Sequence, residues 1–220
     1  MQRIDTPKPL PELVYDAVLN AICEGTLPPG ERVTQEGVAA RLDVSRLPVG
    51  QALKRLEAEG FLCPAGRRGL RVAPLTSELV RELYGLRAGI DLIAAGEAAR
   101  RCDARFRREG QRVLDDGRSA LAAHDVPLLI SADEEFHWLI YETAGNARIL
   151  EVMATQWHHT RRVMHQVIDD VANQGPIWDQ HERIYRAIAD GDAASAERLA
   201  RAHADEASGW LQEAAERQSA

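Results

Sequence analysis

Cysteine and aromatic residues are scarce in this 220-residue sequence, with three cysteines and only 5% aromatic residues. Cys23, Cys63 and Cys102 are odd in number and far apart, which excludes a disulfide framework and a Cys-x-x-Cys metal knuckle. No apolar run approaches the roughly 20 residues of a membrane-spanning helix, and the N-terminus lacks the apolar segment of a secretory signal. These absences favour a protein of the reducing cytoplasm with no membrane association.

An excess of positive charge is missing too, because the formal net charge is −7. The acidic residues are unevenly distributed, however. Residues 1–75 carry 10 basic and 9 acidic side chains, whereas residues 76–220 carry 17 and 25. The first part can therefore approach phosphate groups, and the asymmetry predicts two units with different partners.

Periodicity and turn residues predict the elements of the first unit. Apolar residues at helical spacing predict a helix over residues 10–22. A short second helix follows Thr34, a candidate N-cap, and Ser45, which can also act as an N-cap, opens a third helix over residues 45–60. Extended segments at 61–63 and 70–72 flank a turn rich in Pro and Gly. This order predicts a winged helix-turn-helix, which is a DNA-binding fold.

The third predicted helix carries side chains suited to DNA. Arg46 projects from its N-terminus, the end that meets base edges, where arginine can pair with guanine O6 and N7. Lys54 and Arg55 suit phosphates, and Arg67 and Arg68 occupy the tip of the predicted wing. The alternative is that these arginines are solvated and bind nothing. The expected DNA-binding residues are Arg32, Thr34, Ser45, Arg46, Lys54, Arg55, Arg67 and Arg68.

Residues 24–33, 45–49 and 56–61 resemble the N-terminal domain of the GntR family of bacterial regulators. The resemblance covers about residues 10–75. It implies a winged helix-turn-helix that binds an inverted-repeat operator as a homodimer. Gly50 departs from the family, which usually has an arginine for base contact at this position. The operator sequence therefore does not follow from the resemblance.

After a hinge at residues 73–76, the sequence predicts only helices. Turn-forming residues divide this part into six, at about 77–101, 103–123, 126–144, 146–170, 176–190 and 192–215. The predicted fold class is therefore mainly α. We expect a winged helix-turn-helix DNA-binding domain over residues 1–75 and an all-helical domain over residues 76–220.

Histidines in the second part lie on predicted apolar helix faces. Asp133 and His137, at i and i+4, share one face, while His181 and His203 lie on two other helices. Three imidazoles and a carboxylate that converge would suit Zn, Ni or Mn and leave positions open for a ligand. Spacing alone leaves the alternative open that each histidine is a core residue with ordinary hydrogen-bond partners.

Segments 133–137, 144–146, 181–184 and 187–192, with Ala196 and His203, resemble the FCD-type effector domain of the FadR subfamily. The resemblance spans about residues 77–215 and implies an antiparallel six-helix bundle, close to the VanR-like group, that also dimerises. It implies a divalent metal whose coordination is completed by a small carboxylate, such as a hydroxy or sugar acid. The implied metal ligands are Asp133, His137, His181 and His203.

Two more residues are candidates for effector binding. Arg87 begins an Arg-x-x-x-Asp sequence where the family often has Arg-x-x-x-Glu, and its planar fork would clamp a carboxylate. Its alternative is a surface ion pair with Asp91. Asn146 would either line the pocket or cap the following helix.

These features together predict a transcription regulator, by default a repressor, that responds to a small acid and is not an enzyme. A helical-bundle metalloenzyme is the first alternative, although no general base is evident beside the single metal constellation. A bundle that only dimerises and binds no ligand is the second.

Overall fold

The computed structural model describes residues 8–66, 69–168 and 175–219. The chain divides into two units, Met1–Leu75 and Thr76–Ala220. Among the residues described, no helix is both long and apolar enough to cross a membrane.

The described residues of the first unit form three helices and a small antiparallel sheet. The helices are α1 (Leu10–Cys23), α2 (Gln35–Leu42) and α3 (Arg46–Ala58). The strands are β1 (Arg32–Val33), β2 (Leu62–Pro64) and β3 (Leu70–Val72), in the order β1-β3-β2. This is the predicted winged helix-turn-helix, with β2 and β3 as the wing. The two-residue strand β1 was not predicted, because it is too short to show an alternating pattern.

The two predicted caps of the first unit differ in outcome. Thr34 caps α2, since its hydroxyl accepts a hydrogen bond from the backbone N–H of Gly37 at 3.0 Å. Ser45 has the extended backbone of an N-cap, but its exposed side chain accepts no hydrogen bond from the described residues of α3. The prediction that the Ser45 side chain caps α3 is therefore wrong. Ile22, Leu56 and Phe61 are fully buried between the helices and the sheet.

The described residues of the second unit form six helices, so the mainly α fold class is confirmed. They are α4 (Ser77–Arg101), α5 (Ala104–Ala123), α6 (Val126–Ala144), α7 (Ala147–Val167), α8 (Gly175–Ala189) and α9 (Ala193–Ser219). The side chains of Thr76, Asp103, Asp125 and Asn146 accept hydrogen bonds from the first turns of α4, α5, α6 and α7. Capping of this kind stabilises a helix by about 1 kcal/mol.

Small residues let the two longest helices pack closely. Buried alanines on α4, among them Ala94 and Ala98, belong to the same core cluster as Ala196 and Ala200 of α9. Larger side chains, including Phe136 and Trp178, fill the rest of that core. The inward faces of α6, α8 and α9 bring the predicted metal ligands into the interior.

Candidate metal centre and nucleic-acid interface

Three predicted metal ligands meet inside the second unit. His137 of α6, His181 of α8 and His203 of α9 are buried, and each offers a ring nitrogen within 4.8 Å of the other two. The Nε2 atoms of His181 and His203 are 3.3 Å apart. Three separate helices thus bring the imidazoles together.

Asp133, the fourth predicted ligand, lies one turn before His137 on α6. Its Oδ1 is 3.4 Å from His181 Nε2. Its Oδ2 is buried and has no hydrogen-bond partner among the described residues. Burial raises the pKa of this carboxyl to about 6, although the Arg87 charge opposes the shift. A buried carboxylate oxygen without a partner is costly unless a cation or donor contacts it.

Burial keeps the three imidazoles neutral at pH 7. It lowers the pKa of His203 to about 3, and the positive charge of Arg87 contributes to the same shift. Burial also holds the pKa values of His137 and His181 well below their ordinary value. Neutral imidazole, with a free lone pair, is the form that binds metal ions.

The orientation of one imidazole is set by a neighbouring amide. His203 Nδ1 lies 2.8 Å from Gln180 Oε1, and Gln180 Nε2 donates to Glu206 at 2.5 Å. Because the amide NH₂ is directed at Glu206, its oxygen accepts the proton of Nδ1. His203 Nε2 is then left with its lone pair facing the cluster, as in metal-bound histidines. Gln180 was not predicted, since nothing in its local sequence distinguishes it.

These residues fit a divalent cation. Nitrogens about 2.0–2.1 Å from a shared tetrahedral ion would be roughly 3.3–3.4 Å apart, and His181 and His203 meet that spacing. Asp133 Oδ2 would also gain a charged partner. A nitrogen-rich set with one carboxylate is compatible with Zn, Ni or Mn.

Arg87 lies beside this centre. The alternative that it forms an ion pair with Asp91 at the surface is wrong about the surface, because the pair is buried. The side chain is buried, and its Nε donates to Asp91 Oδ2 at 3.1 Å. Its Nη2 lies 2.6 Å from His137 Nε2, and its guanidinium carbon is 4.8 Å from the Trp157 ring centre. Tyr141, which was not predicted, donates to the other Asp91 oxygen at 2.5 Å.

Asn146 caps a helix, which is one of its two expected roles, and does not line the pocket. It is exposed at the N-cap of α7, where its side-chain oxygen accepts a hydrogen bond from Arg148 N at 3.0 Å. It does not line the cavity beside Arg87, Asp133 and His203. The expectation that Asn146 contacts an effector in this cavity is therefore corrected to a capping role.

Four of the expected DNA-binding residues of the first unit line one surface groove. They are Arg32 and Thr34, together with Arg46 and Lys54 of α3. The exposed Arg46 forms an ion pair with Glu36 at 2.6 Å. Exposed pairs are weak, so this contact leaves Arg46 able to exchange its partner for DNA.

The position of Gly50 lies in the same groove. A Cβ added there would lie 3.3 Å from Gln35 Nε2, so the end of the Gln35 side chain covers the site of the usual family arginine. Leu47, on the same helix, is 74% exposed. Gly50, with Gln35 beside it, gives this groove a different chemical surface from the one that the resemblance implies.

The remaining expected DNA contacts are placed differently. Arg55 stacks on the Tyr15 ring at 3.9 Å and donates to Glu59 at 2.8 Å, so part of its side chain links α1 to the end of α3. Ser45 is exposed at the start of α3. Arg67 and Arg68 lie outside the described residues.

Comparison with known proteins gives matches over both units. The family described as bacterial regulatory proteins, gntR family, matches residues 10–72, and the FCD domain matches residues 82–206. The uncharacterized HTH-type transcriptional regulator YdhC of Bacillus subtilis is 24% identical, over 91% of this chain and 90% of that protein. The HTH-type transcriptional repressor RspR of Escherichia coli is 23% identical, over 94% and 90%. The solved structure of E. coli McbR/YncC has a TM-score of 0.81 at 19% identity, over 94% and 99%.

Proposed function

The chain belongs to the FCD-domain proteins of the bacterial gntR regulator family, and we propose that it is a cytoplasmic, homodimeric repressor that senses a small carboxylate through a bound divalent metal. DNA-binding transcription regulation follows from the family itself. The matched families and relatives are regulators and not enzymes, which removes the metalloenzyme alternative. We assign DNA binding to Met1–Leu75, and effector binding and dimerisation to Thr76–Ala220.

We propose that the groove beside α3 contacts the operator. Arg46 is exposed at the N-terminus of α3, which is the end that enters the major groove in helix-turn-helix proteins. Lys54, about two helical turns further along α3, suits phosphates. Arg32 and Thr34 line the same groove. This assignment supports sequence-specific contact through Arg46, with phosphate contacts that set the orientation of the helix.

We propose that Asp133, His137, His181 and His203 hold the metal. The observation that carries this proposal is the convergence of three neutral, buried imidazoles on one point, next to a buried carboxylate oxygen without a partner. When bound, the ion supplies a Lewis-acid centre at which an effector carboxylate can complete the coordination.

Arg87 is suited to hold the second oxygen of that carboxylate. His137 Nε2 cannot bind a cation and accept the hydrogen bond of Arg87 Nη2 at the same time. In the metal-bound protein the Nη2 donor is therefore available to another acceptor. Asp91 still anchors the guanidinium through Nε, which keeps its orientation at the cavity.

A homodimer is supported by an apolar face on α4. Leu86 and Ile93, two helical turns apart, are 48% and 51% exposed. Gly85 and Gly89 lie beside them, and a Cβ at either position would meet no neighbouring atom. A second copy packed against this face would bury both large side chains and could approach closely at the glycines. Effector binding would then act by favouring one arrangement of the dimer over another.

The test compares metal binding by the wild-type chain, His181→Ala and the control His165→Ala, whose ring is outside the cluster of described residues. We expect one zinc per wild-type chain and thermal stabilisation that a chelator removes. At a free zinc concentration 100 times Kd, the gain is about 2.7 kcal/mol. His165→Ala should behave like wild type, whereas His181→Ala should lose the zinc response and keep salt-sensitive DNA binding.

Retention of stoichiometric zinc by His181→Ala would contradict the proposed site. Absence of zinc, nickel and manganese binding by the wild-type chain would favour the alternative in which the bundle only dimerises.

A further inference from the structure

The cavity beside the candidate metal centre is polar on one side only. Arg87, Asp133 and His203 line that side, together with Tyr84, whose pKa is raised to about 12 by burial. The other walls are apolar. They consist of Leu129, Met164, Ile168, Ile177, Ala207 and Leu211, with the indole rings of Trp178 and Trp210. A ligand whose carboxylate faces Arg87 therefore projects the rest of its body against hydrocarbon.

We propose that the effector is a short carboxylic acid with an apolar body, and not a polyhydroxylated sugar acid. This inference rests on the proposed acid-sensing function and specifies its ligand class. The groups at the polar side can accommodate a carboxylate and one adjacent hydroxyl. Hydroxyls further along the ligand would face these walls, where the only strong side-chain hydrogen-bonding groups of the described lining residues are the indole N–H donors of Trp178 and Trp210 and none is an oxygen acceptor. An apolar pocket disfavours an added hydroxyl by about 100-fold.

The volume of the cavity limits the length of that body. It measures about 30 Å³, which is room for about two water-sized groups. A carboxylate group alone fills this space, so the binding of a four-carbon acid requires the apolar walls to move apart. Met164, with its flexible unbranched side chain, is the wall residue best able to adapt to a slightly larger ligand.

The test uses two acids that share a carboxylate, a 2-hydroxyl and a four-carbon chain: 2-hydroxybutyrate and erythronate, which has two further hydroxyls. Calorimetric titration of each into the zinc-loaded full chain gives the two Kd values. We expect 2-hydroxybutyrate to bind at least about 100-fold more tightly. Equal affinity, or preference for erythronate, would overturn the inferred ligand class while the acid-sensing function stands. If zinc binds but neither acid does, both the sensing function and this inference are wrong.

A substitution in the cavity wall tests whether the apolar side causes the preference for 2-hydroxybutyrate over erythronate. Met164 is half-buried, so Met164→Gln introduces an amide of similar length into the cavity wall without removing a core residue. The ratio of the two Kd values should narrow by 10-fold or more, because the amide supplies a hydrogen-bond partner. Val152→Gln, an exposed position on the same helix, is the matched control and should leave the ratio unchanged. An unchanged ratio in Met164→Gln would contradict the assignment.

Discussion

Among single residues, Arg87 has the greatest influence on the candidate centre because it is a fully charged side chain in the interior. The neighbouring carboxylate of Asp91 neutralises it, and Tyr141 holds that carboxylate from its other side. Burial alone raises the pKa of Asp91, and the arginine and the tyrosine hydrogen bond oppose this shift. Arg87, Asp91 and Tyr141 thus behave as one hydrogen-bonded unit whose charges compensate each other.

Asp91→Asn should therefore be strongly destabilising. It leaves the buried guanidinium without a counter-charge, for which the expected loss is about 3–5 kcal/mol in the free energy of unfolding. The matched control is Asp116→Asn, which breaks an exposed i,i+4 pair with Arg112 at 2.6 Å. That change should cost less than about 1 kcal/mol. Urea denaturation measures both, and equal losses would show that the Arg87 charge does not depend on Asp91 for its compensation.

The buried histidines make the metal-free stability depend on pH. The pKa of His203 is about 3 in the folded chain and about 6.5 in the unfolded chain. Between these values only the unfolded chain binds the proton, so this residue lowers the free energy of unfolding as pH falls below about 6.5. Asp133, with a folded pKa of about 6, opposes this trend, because its folded form takes up a proton first as pH falls.

The His203→Gln variant should lose the part of this pH dependence that His203 contributes, because glutamine does not take up a proton. Between about pH 5.5 and 4, the free energy of unfolding of the metal-free wild type should fall more steeply than that of the variant, by about 1.4 kcal/mol per pH unit. Denaturation in the presence of a chelator at several pH values measures the difference in slope. Parallel profiles would mean that His203 titrates normally in the folded chain.

At the scale of helices, the position of α8 depends on a close approach to α5. Gly117 of α5 is buried, and a Cβ at this position would overlap the ring of Trp178 on α8. That indole in turn meets the His181 ring edge-on, with 4.9 Å between centres. The absence of one side chain on α5 therefore sets how deeply α8 inserts His181 into the centre.

Gly117→Ala should destabilise the second unit although alanine favours helices. Overpacking costs about 1–3 kcal/mol, which exceeds the gain of up to about 1 kcal/mol in helix propensity. Gly209→Ala on α9 is the control, because a Cβ there meets no neighbouring atom and the change should stabilise. Thermal unfolding shows whether each variant loses or gains stability. Zinc affinity should fall in Gly117→Ala only. Stabilisation by Gly117→Ala would refute the close α5–α8 approach.

At the scale of the whole molecule, the proposed dimer couples DNA affinity to the apolar face of α4. An inverted-repeat operator needs two recognition helices about one DNA turn, roughly 34 Å, apart. A monomer would bind only one half-site, and its affinity would lose the contribution of the second.

Combined Leu86→Glu and Ile93→Glu substitutions should therefore produce a monomer. Light scattering should show the change in mass, and gel shifts should show at least 100-fold weaker operator binding, in line with the loss of a linked second site. One zinc per chain should still bind, since the four ligands come from a single chain. Leu128→Glu, at a similarly exposed leucine on α6, is the control. A double variant that remains dimeric would place the interface elsewhere.

Much of the fold could be predicted from the sequence because its determinants are local. Helical periodicity and capping side chains such as Thr76, Asp103 and Asp125 act within one or two turns. The six helices of the second unit were predicted in their observed order, with ends that differ by a few residues, and the helix-turn-helix and wing followed from the same signals. Asn146 shows the limit of such signals, since one residue type suits both a cap and a pocket.

The centre itself required the tertiary structure. The sequence alone determined which residue types were available, on helices and with apolar neighbours. Only packing decided that His181 and His203, 22 residues apart, meet at 3.3 Å, and that Arg87 reaches His137 across 50 residues. Likewise, only the fold revealed the Gln180 hydrogen bond to His203 and the one-sided polarity of the cavity. The physical reason is that helix formation depends on neighbours along the chain, whereas the meeting of side chains depends on how whole helices pack, as Gly117 and Trp178 illustrate.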